Sequence, residues 1–214
     1  STLRGHNFLE PFIINQLLGP FDATFYIPAF IEGNRITING SHFVNNIPVH
    51  ETIFAKDKVF GFATSNIKEL LYKQSNCQIN KEKIENITIT DLESLDISNK
   101  KPFFEYIKKL SNNTKVIVDA KNYSHLNQFS FLIKELAKKK KFLFRTAASF
   151  ISSLSSIETN NKQNIYYSQL RRKNKNNAFM QGIIIVGSYV ELTTLQLNKI
   201  LELNICKAIE INVE

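Results

Sequence analysis

Phe142-Leu143-Phe144-Arg145-Thr146-Ala147-Ala148-Ser149-Phe150 decides the fold class. Three β-forming apolar residues run into an arginine, and the small residues beyond it open a helical pattern that continues to Leu154. The same alternation extends in both directions. Downstream, residues 183–186 read as a strand, 193–203 as a helix and 208–213 as a strand; upstream, 126–139 read as a helix, 115–118 as a strand and 102–110 as a helix begun by Pro102. Repeated strand-helix units imply an α/β fold, a three-layer α/β/α arrangement around a largely parallel sheet.

The first ninety residues add an insertion to that rhythm. Residues 7–18 read as a helix, with Phe8, Leu9, Phe12, Ile13, Leu17 and Leu18 on one broad face, Pro11 in the first turn and Gly19-Pro20 as its stop. Residues 23–27 read as a buried strand ending at Pro28. Residues 35–38 and 42–44 flank Asn39-Gly40, the signature of a two-residue β-hairpin inserted into the α/β order. Ser65 reads as the cap of a helix through Tyr72, and 87–90 as another strand.

Composition bounds the function. With 214 residues, 43% of them hydrophobic, the chain can build the core of one large domain or two small ones. No apolar run approaches the ~20 residues needed to span a bilayer. The N-terminus also lacks the order of a signal peptide, so a cytoplasmic, non-membrane protein is expected. Cys77 and Cys206 lie far apart without C-x-x-C spacing, which points to free thiols and to no metal site. The net charge of +8 is concentrated in Lys138-Lys139-Lys140-Lys141 and Arg171-Arg172-Lys173-Asn174-Lys175. Lysines closing a helix suit its negative end, and neither run interleaves aromatics for bases to stack on, which weighs against nucleic acid. Residues 158–181 form a polar Asn/Lys-rich stretch, anchored only by Ile165-Tyr166-Tyr167 and Leu170, of the kind that is functional or disordered.

The candidate chemistry sits where strands meet helices, the place where ligands collect in open α/β sheets. Gly187-Ser188 could cradle a carboxylate or phosphate with its backbone N–H groups, or could be a simple turn in which Ser188 and Glu191 make a capping box. Arg145 could hold a ligand or a structural ion pair. Arg4, in Leu3-Arg4-Gly5, carries the planar fork that grips a carboxylate, although at a terminus it could equally be frayed. His42 and Arg35 come within cross-strand reach of each other, with Lys56-Asp57 in a following loop. Asp57 and Asp119 are the candidate catalytic carboxylates, Asp119 competing with a turn or cap role. Serine-hydrolase, Walker A and G-x-G-x-x-G patterns are absent, so no nucleotide-binding apparatus is visible.

Taken in order, Ser1-Thr2-Leu3-Arg4-Gly5, Pro28-Ala29-Phe30, Gly33-Asn34-Arg35 with Thr37, Gly40 and His42, and Phe54-Ala55-Lys56-Asp57 with Phe60-Gly61 and Ser65-Asn66 form one collinear set. Val118-Asp119-Ala120, the Phe142–Phe150 stretch and Val186-Gly187-Ser188-Tyr189-Val190 with Thr193, Thr194, Gln196 and Leu197 continue it. The whole set resembles the N-terminal, substrate-binding domain of the four-carbon acid sugar kinase family. The resemblance implies an ATP-dependent kinase acting on a terminal hydroxyl of an erythronate, a threonate or an oxo-tetronate. It implies ATP and Mg held by a C-terminal domain that would follow this chain, residues 1–214 being the acid-sugar domain, inactive alone and compatible with a homo-oligomer. It places Arg4 on the substrate carboxylate, Arg145, Gly187 and Ser188 in the same site, and Arg35, His42, Lys56 and Asp57 on its other wall.

Three departures stand out. The family's opening Asp-Asp-x-Thr-Gly-Ala segment is expected before Ser1, and the start without Met inside a loop-to-helix junction suggests a fragment. Ile31 stands where relatives carry proline, and Glu191-Leu192 where they carry Pro-Lys. A non-catalytic small-acid-binding module is the competing expectation, and a nucleic-acid-binding protein a third.

Overall fold

The computed structural model describes residues 2–95, 100–156, 172–178, 180–188 and 191–211. The chain divides into two compact units, Ser1–Thr159 and Asn160–Glu214.

The first unit is organised around β1 (Ala23–Ile27), every residue of which is buried. Its main sheet adds β5 (Glu85–Ile87), β6 (Thr114–Val118) and β7 (Phe142–Thr146) in the order β5-β6-β1-β7, all parallel. A strand buried on both faces needs apolar side chains on both, and β1 supplies two different sets by alternation. Phe25 and Ile27 join Ile87, Val116 and Val118 beneath α3 (Ile89–Glu93), α4 (Lys100–Lys109), α5 (Tyr123–Leu136) and α6 (Ala148–Ser155). Tyr26 with Ile117 meets Leu3, Val44, Val49 and α2 (Ile67–Gln74) on the other face. The helix α1 (Leu9–Leu18) packs beside β7. The α/β expectation is met, with helices on both faces.

The inserted hairpin is present, and it has a third strand. β2 (Arg35–Ile38) pairs antiparallel with β3 (Ser41–Val44), and β3 with β4 (Ile47–Pro48). Asn39 and Gly40 both take positive φ, 49° and 70°, which the tight turn requires. Asn45-Asn46 does the same, with φ of 50° and 65°, at the second turn. The hairpin is rooted in the main sheet by paired bonds of 3.0 Å between Thr37 and Ala120, just beyond β6.

Several local expectations are corrected. The strand expected at 87–90 lies earlier, at Glu85–Ile87, because Thr88 caps α3: its Oγ1 accepts from Asp91 N at 3.2 Å while the Asp91 carboxylate accepts from Thr88 N at 2.8 Å. Asn66 rather than Ser65 caps α2, accepting from Glu69 N at 3.0 Å, and the Ser65 hydroxyl accepts from His50 N instead. β7 continues to Thr146, so Arg145 lies within the strand rather than at its end.

In the second unit, the helix Glu191–Glu202 forms as expected, but residues 183–186 and 208–211 have no strand pairing. Ile183 and Ile185 are 88% and 90% exposed. β-formers without a neighbouring strand have no ladder to complete, and propensity alone does not supply one. Residues 212 and 213 of the second expected strand, and most of the Asn/Lys-rich stretch with Ile165-Tyr166-Tyr167 and Leu170, lie outside the described residues.

Candidate functional site

The candidate site lies at the carboxyl ends of β1 and β7, on the face shared with α2. Tyr26 and Arg145 are register partners on these parallel strands, so their side chains rise from the sheet side by side. The loop Leu3-Arg4-Gly5 crosses them, and its shape depends on two positive φ angles, 58° at Leu3 and 101° at Gly5. A Cβ at Gly5 would stand 3.7 Å from Nη2 of Arg145, an ordinary contact, so it is the positive φ rather than lack of space that calls for glycine here. Asn7 fixes the loop from below. Its Nδ2 donates to Leu3 O at 2.7 Å and Gly5 O at 3.1 Å, while its Oδ1 accepts from Arg145 Nε at 3.2 Å. Gln74 of α2 donates a further bond to Gly5 O at 3.1 Å. Arg145 also pairs with Glu10 of α1 at 2.9 Å. Beneath the loop is a cavity of ≈ 30 Å³, lined by Leu3, Asn7, Tyr26, Leu70 and Arg145 among others.

Outside the loop, two guanidiniums share one aromatic ring. Arg4 lies 5.5 Å from the centre of the Phe54 ring and Arg35 lies 5.6 Å from it, Arg35 also resting 5.6 Å from Phe30. Burial, and then the nearby charge of Arg4, pull the Arg35 pKa down from its usual value. One carboxylate stands with them: Asp57 accepts from Arg4 Nη1 at 3.3 Å. Its pKa is lowered first by the N–H groups of Phe60 and Val59, which donate to its Oδ1 at 2.9 Å, and then by Arg4. Lys56, next to it in the chain, is exposed at the end of a 3-10 turn, Ile53–Lys56. Positive charge exceeds negative around Phe54, which suits an incoming anion.

The structure thus brings Arg4, Arg35 and Asp57 together and connects Arg145 to them through Asn7 and Gly5. His42 and Asp119 belong to the hairpin root. His42 is fully buried and faces Thr37, its Nδ1 sharing a hydrogen bond with Thr37 Oγ1 at 3.1 Å. Arg35 is instead opposite Val44. Asp119, also fully buried, accepts from Gly40 N at 3.0 Å and so clamps the hairpin turn. Gly187 and Ser188 lie in the second unit, where the backbone shows no strand-to-helix turn at Gly187, and Ser188 Oγ accepts from Thr193 Oγ1 at 3.2 Å. Tyr26, Asn7 and Phe54 complete the candidate site without having stood out in the sequence. The available signal was that Tyr26 shares the Thr24 face of β1 in strand alternation, a polar group facing inward. Among the described residues, no group of three His, Cys, Asp or Glu side chains could hold a metal ion.

Burial of Asp119 raises its pKa, with the Gly40 N–H opposing that rise. A carboxyl whose folded pKa exceeds its unfolded value favours the fold most when protonated. The stability of the wild-type protein relative to Asp119→Asn is therefore expected to fall as pH rises from about 3.9 through the raised folded value, and then to level off. Denaturant unfolding of both proteins at several pH values checks this; a difference that grows in favour of the wild type with rising pH would reverse the assignment.

Known proteins give the setting for this geometry. The family described as a sugar-binding N-terminal domain matches residues 1–154. A Bordetella bronchiseptica domain of unknown function, crystallised as a domain-swapped dimer with bound citrate, is 21% identical, with a TM-score of 0.54 over 72% of this chain and 34% of its own. A Haemophilus influenzae protein is 17% identical, with a TM-score of 0.51 over 69% of this chain and 32% of its own. A Salmonella typhimurium LT2 protein is 16% identical, with a TM-score of 0.53 over 73% and 34%. These likenesses carry the fold, and this chain spans about a third of the length of each structure. No curated protein matches it. With nearly three quarters of its residues inside the family's bounds and the fold shared, the chain belongs to the family described as a sugar-binding N-terminal domain.

Proposed function

We propose that this chain is the acid-binding part of a cytoplasmic, ATP-dependent kinase that phosphorylates a four-carbon sugar acid of the erythronate, threonate or 3-oxo-tetronate type. The observation that carries this reading is the Arg4–Phe54–Arg35 arrangement, in which two guanidiniums lie over one ring and a single carboxylate, Asp57, pairs with Arg4. Arginine presents paired N–H donors in the geometry of a carboxylate, and the ring under each guanidinium limits its motion. The citrate bound to the Bordetella relative supports a small acid as the ligand, and the dimer of that relative supports self-association. No described helix is long and apolar enough to cross a membrane.

Phosphoryl transfer depends mainly on positioning and charge neutralisation. In this reading Arg4 and Arg35 hold the acid end, Arg145 and Asn7 fix the loop that presents Arg4, and Lys56 adds positive charge nearby. ATP and Mg belong to a C-terminal domain that closes over the acid and excludes water. Asp57, being partly exposed beside Arg4, is the carboxylate proposed to receive a hydroxyl proton.

Thermal unfolding with millimolar sugar acids, beside the matching neutral four-carbon polyols, tests the reading. A ligand at ~100 times its dissociation constant adds ~2.7 kcal/mol to the folded state, a rise of several degrees. A stereoselective rise with an acid and none with the polyol is expected. An equal response to both, or no response to any acid, would sink the proposal.

A further inference from the structure

The hydroxyl of Tyr26 is a buried polar group without a protein partner. The residue is 3% exposed, and its oxygen makes no hydrogen bond among the described residues. The polar side chains lining the cavity bond to other groups: Asn7 to Leu3, Gly5 and Arg145, Arg145 through Nε and Nη1 to Asn7 and Glu10, and Thr146 to Ile27 and Ala147. The Tyr26 ring cannot turn its oxygen to solvent, since β1 is central, Ile117 and Arg145 flank it on the neighbouring strands, and Leu3 and α2 close over it. Burial raises the Tyr26 pKa well above the ordinary phenol value while the charge of Arg145 works against that rise, so the hydroxyl stays protonated and lies near the guanidinium.

An unmade buried hydrogen bond is a standing cost to the fold, and phenylalanine would fill nearly the same space without it. We infer that Tyr26 is a specificity-determining residue: its hydroxyl, beside Arg145 at the floor of the ≈ 30 Å³ cavity, takes one oxygen of the bound sugar acid. The inference rests on the proposed function and narrows it. A cavity of that volume admits a single small group such as a hydroxyl and no ring or branched substituent. A phenol both donates and accepts, which suits an alcohol oxygen, and the guanidinium beside it can only donate. The acid end then lies with Arg4 and Arg35 at the mouth, and a hydroxyl carbon of the chain reaches inward under the Leu3-Arg4-Gly5 loop. Stereochemistry is read at the floor, because only one configuration turns its oxygen toward Tyr26.

The test is Tyr26→Phe, measured by thermal unfolding without ligand and by calorimetric titration with erythronate and threonate. The variant is expected to melt at or above the wild-type temperature, to bind the preferred acid about tenfold more weakly, and to lose most of the preference between the two epimers. Melting several degrees lower would show that the hydroxyl is already satisfied in the free protein, and unchanged affinity would show that no ligand atom meets it. Either result overturns the inference while leaving the proposed function standing. A wild-type protein that binds neither acid removes both, so the two failures are distinguishable.

Discussion

Arg4→Ala is expected to weaken sugar-acid binding by about a hundredfold while lowering the melting temperature by a few degrees at most. A hydrogen bond to a charged group contributes about 1.5–3 kcal/mol, and each 1.4 kcal/mol is a factor of ten in affinity, so losing a two-pronged contact to a carboxylate falls in this range. The small effect on stability follows from where Arg4 sits. Its side chain is 41% exposed, its ion pair with Asp57 is a surface pair of 3.3 Å that solvent screens, and its contact with Phe54 contributes about 1 kcal/mol at most. The loop keeps its shape because the bonds from Asn7 and Gln74 go to backbone oxygens, which alanine retains. Titration calorimetry and thermal unfolding of the same preparation separate the two effects. Unaltered affinity would remove Arg4 from the site, and a collapse in melting temperature would make it a structural residue.

Phe25→Ala is the largest stability loss expected, about 3–5 kcal/mol, enough to lower the melting temperature of the protein by roughly 10 °C or more. Phe25 is fully buried in the central strand. Its ring meets Phe129 at 5.1 Å and Phe142 at 5.3 Å edge-on and stacks on Phe144 at 5.7 Å, and Phe150 continues the cluster through Phe129 and Phe144. Removing the ring leaves a void bounded by two strands and α5, where rigid neighbours cannot collapse to fill it. Denaturant unfolding measures the loss. A cost below about 1 kcal/mol would mean that β1 is not the centre of the core.

The Phe142–Phe150 stretch was informative because its residues pack on one another: Phe142, Phe144 and Phe150 all lie in the aromatic cluster around Phe25. Asn39-Gly40 was equally legible, since few residue pairs accept two positive φ angles. Local signals failed where two of them competed. Ile87 to Thr90 is β-forming throughout, yet Thr88 with Asp91 closes a capping box that turns the chain into a helix after Ile87. At residues 183–186 the composition is that of a strand, and pairing depends on a neighbour that composition cannot supply.

Legibility of the candidate site followed the same division. Arg4 stood out as an arginine in a tight glycine turn, and Arg145 as a charge closing an apolar run. Tyr26 did not, because tyrosine in a buried strand is ordinary until its hydroxyl is found without a partner, and that depends on Leu3, Asn7 and Arg145 arriving from distant parts of the chain. His42 and Asp119 drew attention as chemistry-bearing residue types, but burial places both in the root of the hairpin.

The most direct test of the central claim, that a small sugar acid binds at the carboxyl ends of β1 and β7, is a backbone amide chemical-shift map of the isotopically labelled protein titrated with threonate and erythronate. The account predicts shifts concentrated at residues 3–7, 26–28, 54–57 and 145–146, saturating together with one dissociation constant and absent with the neutral polyol. Shifts confined to the opposite edge of the sheet, around Glu82, Glu85 and Asp91, or no saturable shift with either acid, would contradict it.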